Sequence, residues 1–128
     1  MKITPDLLHK IKDIQEQYDY IYLGGSIALI LQNAISPREV SDVDLISTKY
    51  SINIFKVLNI GKINHFRLCY HEGIKWELFK NPKAEYVLIN GLKLSPVDEI
   101  FDWKLNKSTK QKHQIDYDSY KNASISRN

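Results

Sequence analysis

The chain has a single cysteine, Cys69, in 128 residues. One thiol excludes an internal disulfide, and with it the disulfide-framework class of small secreted domains; this usage fits a reducing cytoplasm. Cys69 lies among Phe66, Leu68 and Tyr70, where a buried, inert thiol is the ordinary reading. Long apolar runs are missing too. None approaches the roughly 20 residues that span a bilayer, and the N-terminus lacks the apolar core of a signal peptide, so no membrane partner is expected. No internal repeat is visible, and the only low-complexity stretch is a polar tail over 122–128. Charge of one sign is scarce: 18 basic against 15 acidic residues leaves +3, which suits a polyanionic ligand without requiring one. A hydrophobic share of 43% at this length is that of one domain, 1–128, able to bury a single core.

Punctuation residues divide the chain. Thr4-Pro5-Asp6 is a helix start, with a capping hydroxyl, proline in the first turn and an acid near the positive end of the dipole. Leu7, Ile11, Ile14 and Tyr18 then recur at helical spacing as one packing stripe. Residues 19–23 read as a strand, 26–33 as the helix it feeds, and Asn33 to Glu39 as a loop around Ser36-Pro37-Arg38. Val43 to Ser47 is a second strand. Ser51 to Leu58 fits helix or strand, with a short helix favoured. His65–Tyr70 and Ile74–Phe79 alternate about His71-Glu72-Gly73, a hairpin signal. Ala84–Ile89 is a further strand ended by Asn90-Gly91. Ser95-Pro96-Val97-Asp98 marks a helix start with Ser95 as cap. That helix carries Val97, Ile100, Phe101 and Lys104-Leu105. A break over 106–109 precedes a last helix through Ile115, Tyr117 and Tyr120, and 122–128 is expected to fray. The sum is an α/β (α+β) domain, a mixed sheet flanked by helices.

Two short stretches carry chemistry. Tyr22-Leu23-Gly24-Gly25-Ser26 is a strand that stops at a Gly-Gly-Ser turn and enters a helix. Glycine lets backbone approach a bound group, and the turn aims N–H groups and the helix dipole at it, which favours phosphate. Asp42 and Asp44 flank Val43 on a strand, so both carboxylates project from one face. Converging carboxylates repel unless a cation or proton lies between them, and hard oxygen ligands suit Mg²⁺ or Mn²⁺. Each motif alone has a bland reading, a tight turn or a solvated strand end. Their order on strand, turn, helix and strand points to nucleotide chemistry.

At these residues the chain resembles the nucleotidyltransferase superfamily typified by DNA polymerase β, whose motif is Gly-Gly or Gly-Ser, a helix, then Asp-x-Asp or Asp-x-Glu. Within it, the chain looks most like the AbiEii-type and minimal nucleotidyltransferases of toxin–antitoxin systems. The gap from Ser26 to Asp42 is longer than that pattern leads one to expect, implying a longer loop. The resemblance implies a nucleotidyltransferase fold, an NTP substrate and Mg²⁺ or Mn²⁺ held by Asp42, Asp44 and a third carboxylate on a neighbouring strand. Glu77 is the candidate, since Ile74, Trp76 and Leu78 share the opposite face; the family more often has Asp there. An exposed hairpin charge is the bland alternative. Glu72 and Glu85 are less well placed.

Towards the C-terminus, Leu94-Ser95-Pro96-Val97-Asp98-Glu99, Lys104-Leu105, Lys112-His113 and Asp116 look like the rear motif of AbiEii-type proteins. The resemblance implies that Lys104 neutralises nucleotide phosphates and that Asp116 is a conformational or site-lining acid. The bland readings are a surface lysine, an amphipathic helix at Asp116, and polar surface for His113, which otherwise meets phosphate or RNA. Lys107, Lys110 and Lys112 form a basic strip that attracts nucleic acid or only solvates a helix.

The activity implied is transfer of an NMP from an NTP, gripped by Gly24, Gly25 and Ser26, to an acceptor hydroxyl. That acceptor is RNA such as a tRNA 3′ end, or a partner protein, in a toxin–antitoxin or defence setting. The chain lacks the larger C-terminal helical region of AbiEii toxins, which favours a reduced, single-domain member. The alternatives are a catalytically inactive nucleotide sensor and a purely structural interaction domain.

Overall fold

The computed structural model of the chain describes residues 2–49, 54–58, 68–107 and 111–127; the side chains at 55–56, 107, 111–112 and 123–127 lie outside that description. The first helix, α1, spans Pro5–Gln17. The Thr4 hydroxyl accepts the Leu7 N–H at 3.2 Å, satisfying one of the donors that a helix start leaves without an intrahelical partner. Leu7, Ile11 and Ile14 are buried along its inner stripe, and Tyr18 stands half-buried at the C-cap.

Strand β1, Ile21–Leu23, feeds helix α2, Gly25–Leu31. Helix α2 ends in a Schellman arrangement. Asn33 turns left-handed at φ 59°, its N–H donates to Ile30 O at 3.0 Å, and the Ala34 N–H donates to Leu29 O at 2.9 Å. Strand β2, Asp42–Ser47, follows the expected loop. A short helix α3, Ile54–Leu58, agrees with the favoured reading of that stretch, although 50–53 and 59–67 fall outside the described residues. Strands β3, Leu68–His71, and β4, Ile74–Lys80, form the expected hairpin. Its two turn residues, Glu72 at φ 54° and Gly73 at φ 76°, both lie in the left-handed region that a type I′ turn needs.

Three expectations are corrected in the next stretch. The strand expected over 84–89 is shorter, β5 at Val87–Ile89, and a strand β6, Leu92–Leu94, follows it where none was foreseen. Asn90 (φ 51°) and Gly91 (φ 80°) do not merely end a strand; they reverse the chain into a second tight hairpin. Helix α4 begins at Val97 and runs to Lys107, which leaves Ser95 too early for the cap position. Instead the Ser95 N–H donates to Leu23 O at 2.8 Å and prolongs the bond between β6 and β1. Helix α5 spans Gln111–Arg127 and takes in the described part of the polar tail.

The six strands form one mixed sheet in the order β3-β4-β2-β1-β6-β5, parallel at β2–β4 and β1–β6 and antiparallel elsewhere. Period-two alternation gives the sheet two unlike faces. Ile21, Leu23, Val43, Leu45, Trp76, Leu78, Leu92 and Leu94 are buried in a single core with α1 and α2. The Gln15 side chain on α1 donates to Lys93 O and accepts the Lys93 N–H, each at 2.8 Å, so a buried amide completes backbone bonds of β6. The other face carries Tyr22, Asp42, Asp44, Ile46, Glu77 and Phe79, all half-buried. No described helix is long and apolar enough to cross a membrane.

Candidate active site

The parallel ladder between β2 and β4 sets the centre of the site. Asp44 lies opposite Glu77 and Asp42 opposite Lys75. Because residues two apart share a face, Asp42, Asp44, Lys75 and Glu77 form a four-residue patch across two strands. One oxygen from each of Asp42, Asp44 and Glu77 lies within 4.8 Å of the others. Two carboxylate charges at that separation repel by about 3 kcal/mol at an effective dielectric constant of about 20. The consequence falls on Asp44. Burial, then the charges of Asp42 and Glu77, push its carboxyl up from 3.8 to about 7, against the pull of Lys104 and Lys75. Lys75 donates to Glu77 Oε1 at 2.9 Å, and this bond holds the lysine more firmly charged than usual.

The glycine turn is built against the same carboxylate. The Gly24 N–H donates to Asp44 O at 2.8 Å, carrying the β1–β2 ladder one residue past the strand. Gly25 has φ +64°, and a Cβ there would come within 2.9 Å of Asp44 Cγ and 3.1 Å of its Cβ. Both the backbone angle and the space therefore call for glycine at 25. Gly24 is different: its φ is extended, and a Cβ would meet Ile46 Cδ1 at 3.1 Å. Ser26 follows in the first turn of α2, where backbone N–H groups have no acceptor within the helix.

Lys104 is not a surface lysine. It is 6% exposed on α4, and its charge reaches Asp44 strongly enough to draw that carboxyl towards ionisation. Its Nζ is 3.3 Å from His113 Nε2 on α5, and His113 is equally buried, so the polar-surface reading of this histidine is corrected too. A lysine three residues after the buried Phe101 shares its helix face, a signal present in the sequence. Asp116, one turn beyond His113, is also buried, but its carboxylate is engaged elsewhere. Arg38 grips it with both guanidinium arms, Nη1 to Oδ1 at 2.9 Å and Nη2 to Oδ2 at 2.8 Å. Lys112 has a described backbone on α5, whereas its side chain, with those of Lys107 and Lys110, is outside the described residues. Glu72 is at the β3–β4 turn and Glu85 just ahead of β5, both exposed.

Sequence reasoning missed Lys75 and Arg38. Lys75 was findable, two residues before Glu77 on one strand. Arg38 was not, because its partner is 78 residues away. Aromatic pairs also flank the carboxylates along the same face: Tyr22 with Tyr86 at 4.9 Å between ring centroids, and Phe79 with Trp103 at 5.4 Å.

No protein-family model and no curated protein sequence matches the chain. Solved structures do. A crystal structure of ANT(2″)-Ia in complex with adenylyl-2″-tobramycin is similar with a TM-score of 0.59 and 14% identity, covering 92% of this chain and 87% of that one. The solution structure of the same antibiotic-resistance factor gives 0.57 and 13%, over 92% and 82%. A candidate nucleotidyltransferase from Thermotoga maritima gives 0.54 and 15%, over 98% and 96%. The chain thus has a single-domain nucleotidyltransferase fold, a mixed sheet with its acidic cluster on the face away from the core.

Proposed function

We propose that this chain is a Mg²⁺-dependent nucleotidyltransferase that moves an NMP from an NTP to an acceptor hydroxyl. The observation that carries the reading is the convergence of Asp42, Asp44 and Glu77 within 4.8 Å beside the Gly24-Gly25 turn. Three carboxylates are a hard, oxygen-only set that fits Mg²⁺ or Mn²⁺. The upward shift of Asp44 agrees with this, because burial first, and then the charges of Asp42 and Glu77, disfavour its carboxylate, and a bound cation would offset both. Asp42, Asp44 and Glu77 would hold such ions, which supply charge neutralisation to the attacking and leaving oxygens of an in-line displacement.

The protein's own groups position the reactants. Backbone N–H groups of Gly25 and Ser26 face the outer phosphates of the NTP, and Lys104 places an ammonium beside them. Glu77 accepts the proton of the acceptor hydroxyl as it attacks the α-phosphorus, the bond to the bridging oxygen breaks, and pyrophosphate leaves. Lys75 keeps the Glu77 carboxylate oriented towards Asp44 before substrate arrives.

The finer reading follows the rear motif. An AbiEii-type or minimal nucleotidyltransferase in a toxin–antitoxin setting would act on RNA such as a tRNA 3′ end, or on a hydroxyl of a partner protein. The two acceptor classes separate in one assay. Protein, Mg²⁺ and each α-labelled NTP are incubated with total tRNA or cell lysate, beside an Asp42→Ala/Asp44→Ala control. Label moving to RNA or to a protein band, and vanishing in the control, is the expected result. Tight Mg²⁺–NTP binding without label transfer would establish the nucleotide sensor instead.

A further inference from the structure

The Arg38–Asp116 pair ties the loop that precedes the Asp42–Asp44 strand to helix α5. Arg38 lies in the 32–41 loop, between the helix that starts at the glycine turn and the strand that carries Asp42 and Asp44. Asp116 lies on α5, and only 10% of its side chain is exposed. A two-armed guanidinium–carboxylate bond fixes angle as well as distance, which a lysine cannot reproduce. His113 is three residues before Asp116 on that helix, hence on the same side of it. Its Nε2 meets the Lys104 ammonium at 3.3 Å.

We propose that Arg38 and Asp116 are positioning residues for nucleotide binding: their two-armed bond seats α5 so that His113 holds Lys104 at the phosphate end of the site. The inference rests on the nucleotidyltransferase reading and adds to it a set of residues that act through Lys104. The loop that is longer than the superfamily pattern leads one to expect then has a task, because it brings Arg38 to α5. Among the described residues, helices α4 and α5 also meet through Phe101 against Tyr117 and Tyr120, each with ring centroids 5.4 Å apart. Apolar contacts of that kind allow sliding, whereas the Arg38 fork allows one register.

The test measures Kd for ATP, CTP, GTP and UTP in turn with Mg²⁺, by calorimetry on the full chain at a temperature where each variant is folded. For the best-bound nucleotide, Arg38→Ala and Asp116→Asn should each raise Kd at least about tenfold, with Arg38→Lys in between. In a Lys104→Met background, Arg38→Ala should add less than about twofold, because the residue through which it acts is gone. A melting temperature that falls while Kd stays unchanged would overturn the inference and leave the pair a structural tie. An Arg38→Ala effect that persists undiminished in Lys104→Met would overturn it as well. If Arg38→Ala does not fold, Arg38→Lys decides alone, and an unchanged Kd in that variant overturns the inference. Wild-type protein that binds none of the four would sink the functional reading along with it, a result distinct from wild-type binding that the variants keep.

Discussion

Replacing Asp44 by asparagine should make the metal-free protein more stable at neutral pH while it destroys the site. The Asp44 carboxyl is pushed from 3.8 up to about 7, first by burial and then by Asp42 and Glu77. A group whose folded-state pKa is raised contributes no penalty below its unfolded value. Above it, the folded state prefers the proton and the penalty grows until the pH passes the folded value. The penalty therefore develops between about pH 4 and pH 7 and is level above that. Fully expressed, a rise from 3.8 to about 7 corresponds to about 4 kcal/mol. Asparagine removes the charge but still buries an amide among acceptors, at a cost of about 1–2 kcal/mol. The net expectation is a gain of about 2 kcal/mol, or roughly 5–10 °C in melting temperature for a chain of this size. Thermal melts in EDTA should show that gain at about pH 8 and lose it by about pH 5, where the penalty on the charged group has shrunk to about 1–2 kcal/mol and only matches the cost of burying the amide. Added Mg²⁺ should stabilise the wild type by mass action and leave Asp44→Asn nearly unmoved. A variant that is less stable than wild type at about pH 8 in EDTA, or a gain that does not depend on pH, would refute the reasoning.

Related substitutions test the neighbours. Gly25→Ala forces a side chain into a left-handed backbone position against the Asp44 carboxylate; a loss of about 1–3 kcal/mol in denaturant titrations is expected, with weaker Mg²⁺–NTP binding. Lys104→Met removes a charge that draws Asp44 towards ionisation, so carbon-detected NMR of the Asp44 carboxyl should show it titrating above about 7, with NTP affinity lowered at least about tenfold. Glu77→Gln removes a charge that pushes Asp44 the other way, so the same experiment should show Asp44 titrating below about 7 while transfer activity is lost.

The acidic cluster was legible in the sequence because strand alternation is a local signal. Asp-Val-Asp at 42–44 and Trp-Glu-Leu at 76–78 each declare which residue faces the core, and burial follows that pattern. The pairing of Asp44 with Glu77 was not legible, since parallel register is set by how the connection over 48–73 folds back, and no single residue records it. The missed strand β6 shows a different limit. Three residues are too few for a period to appear, and Asn90-Gly91 reads equally well as a stop and as a reversal. The burial of Lys104 and His113 was not legible, because α4 and α5 are rich in charge and a surface lysine and a polar-surface histidine stood as the alternatives to a phosphate-binding role. Arg38 was invisible for the plainest reason: a loop residue carries no periodicity, and its partner is 78 positions away.

The central claim, that Asp42, Asp44 and Glu77 together hold a divalent cation, is tested most directly by titrating the protein with Mn²⁺ and following free Mn²⁺ by electron paramagnetic resonance. Wild-type protein should take up Mn²⁺ in a saturable step that Mg²⁺ competes away, and Asp42→Asn, Asp44→Asn and Glu77→Gln should each weaken that step at least about tenfold. Mn²⁺ uptake that is weak in the wild type and unchanged in all three variants would contradict the account, leaving the acidic cluster a feature of the fold and not a metal site.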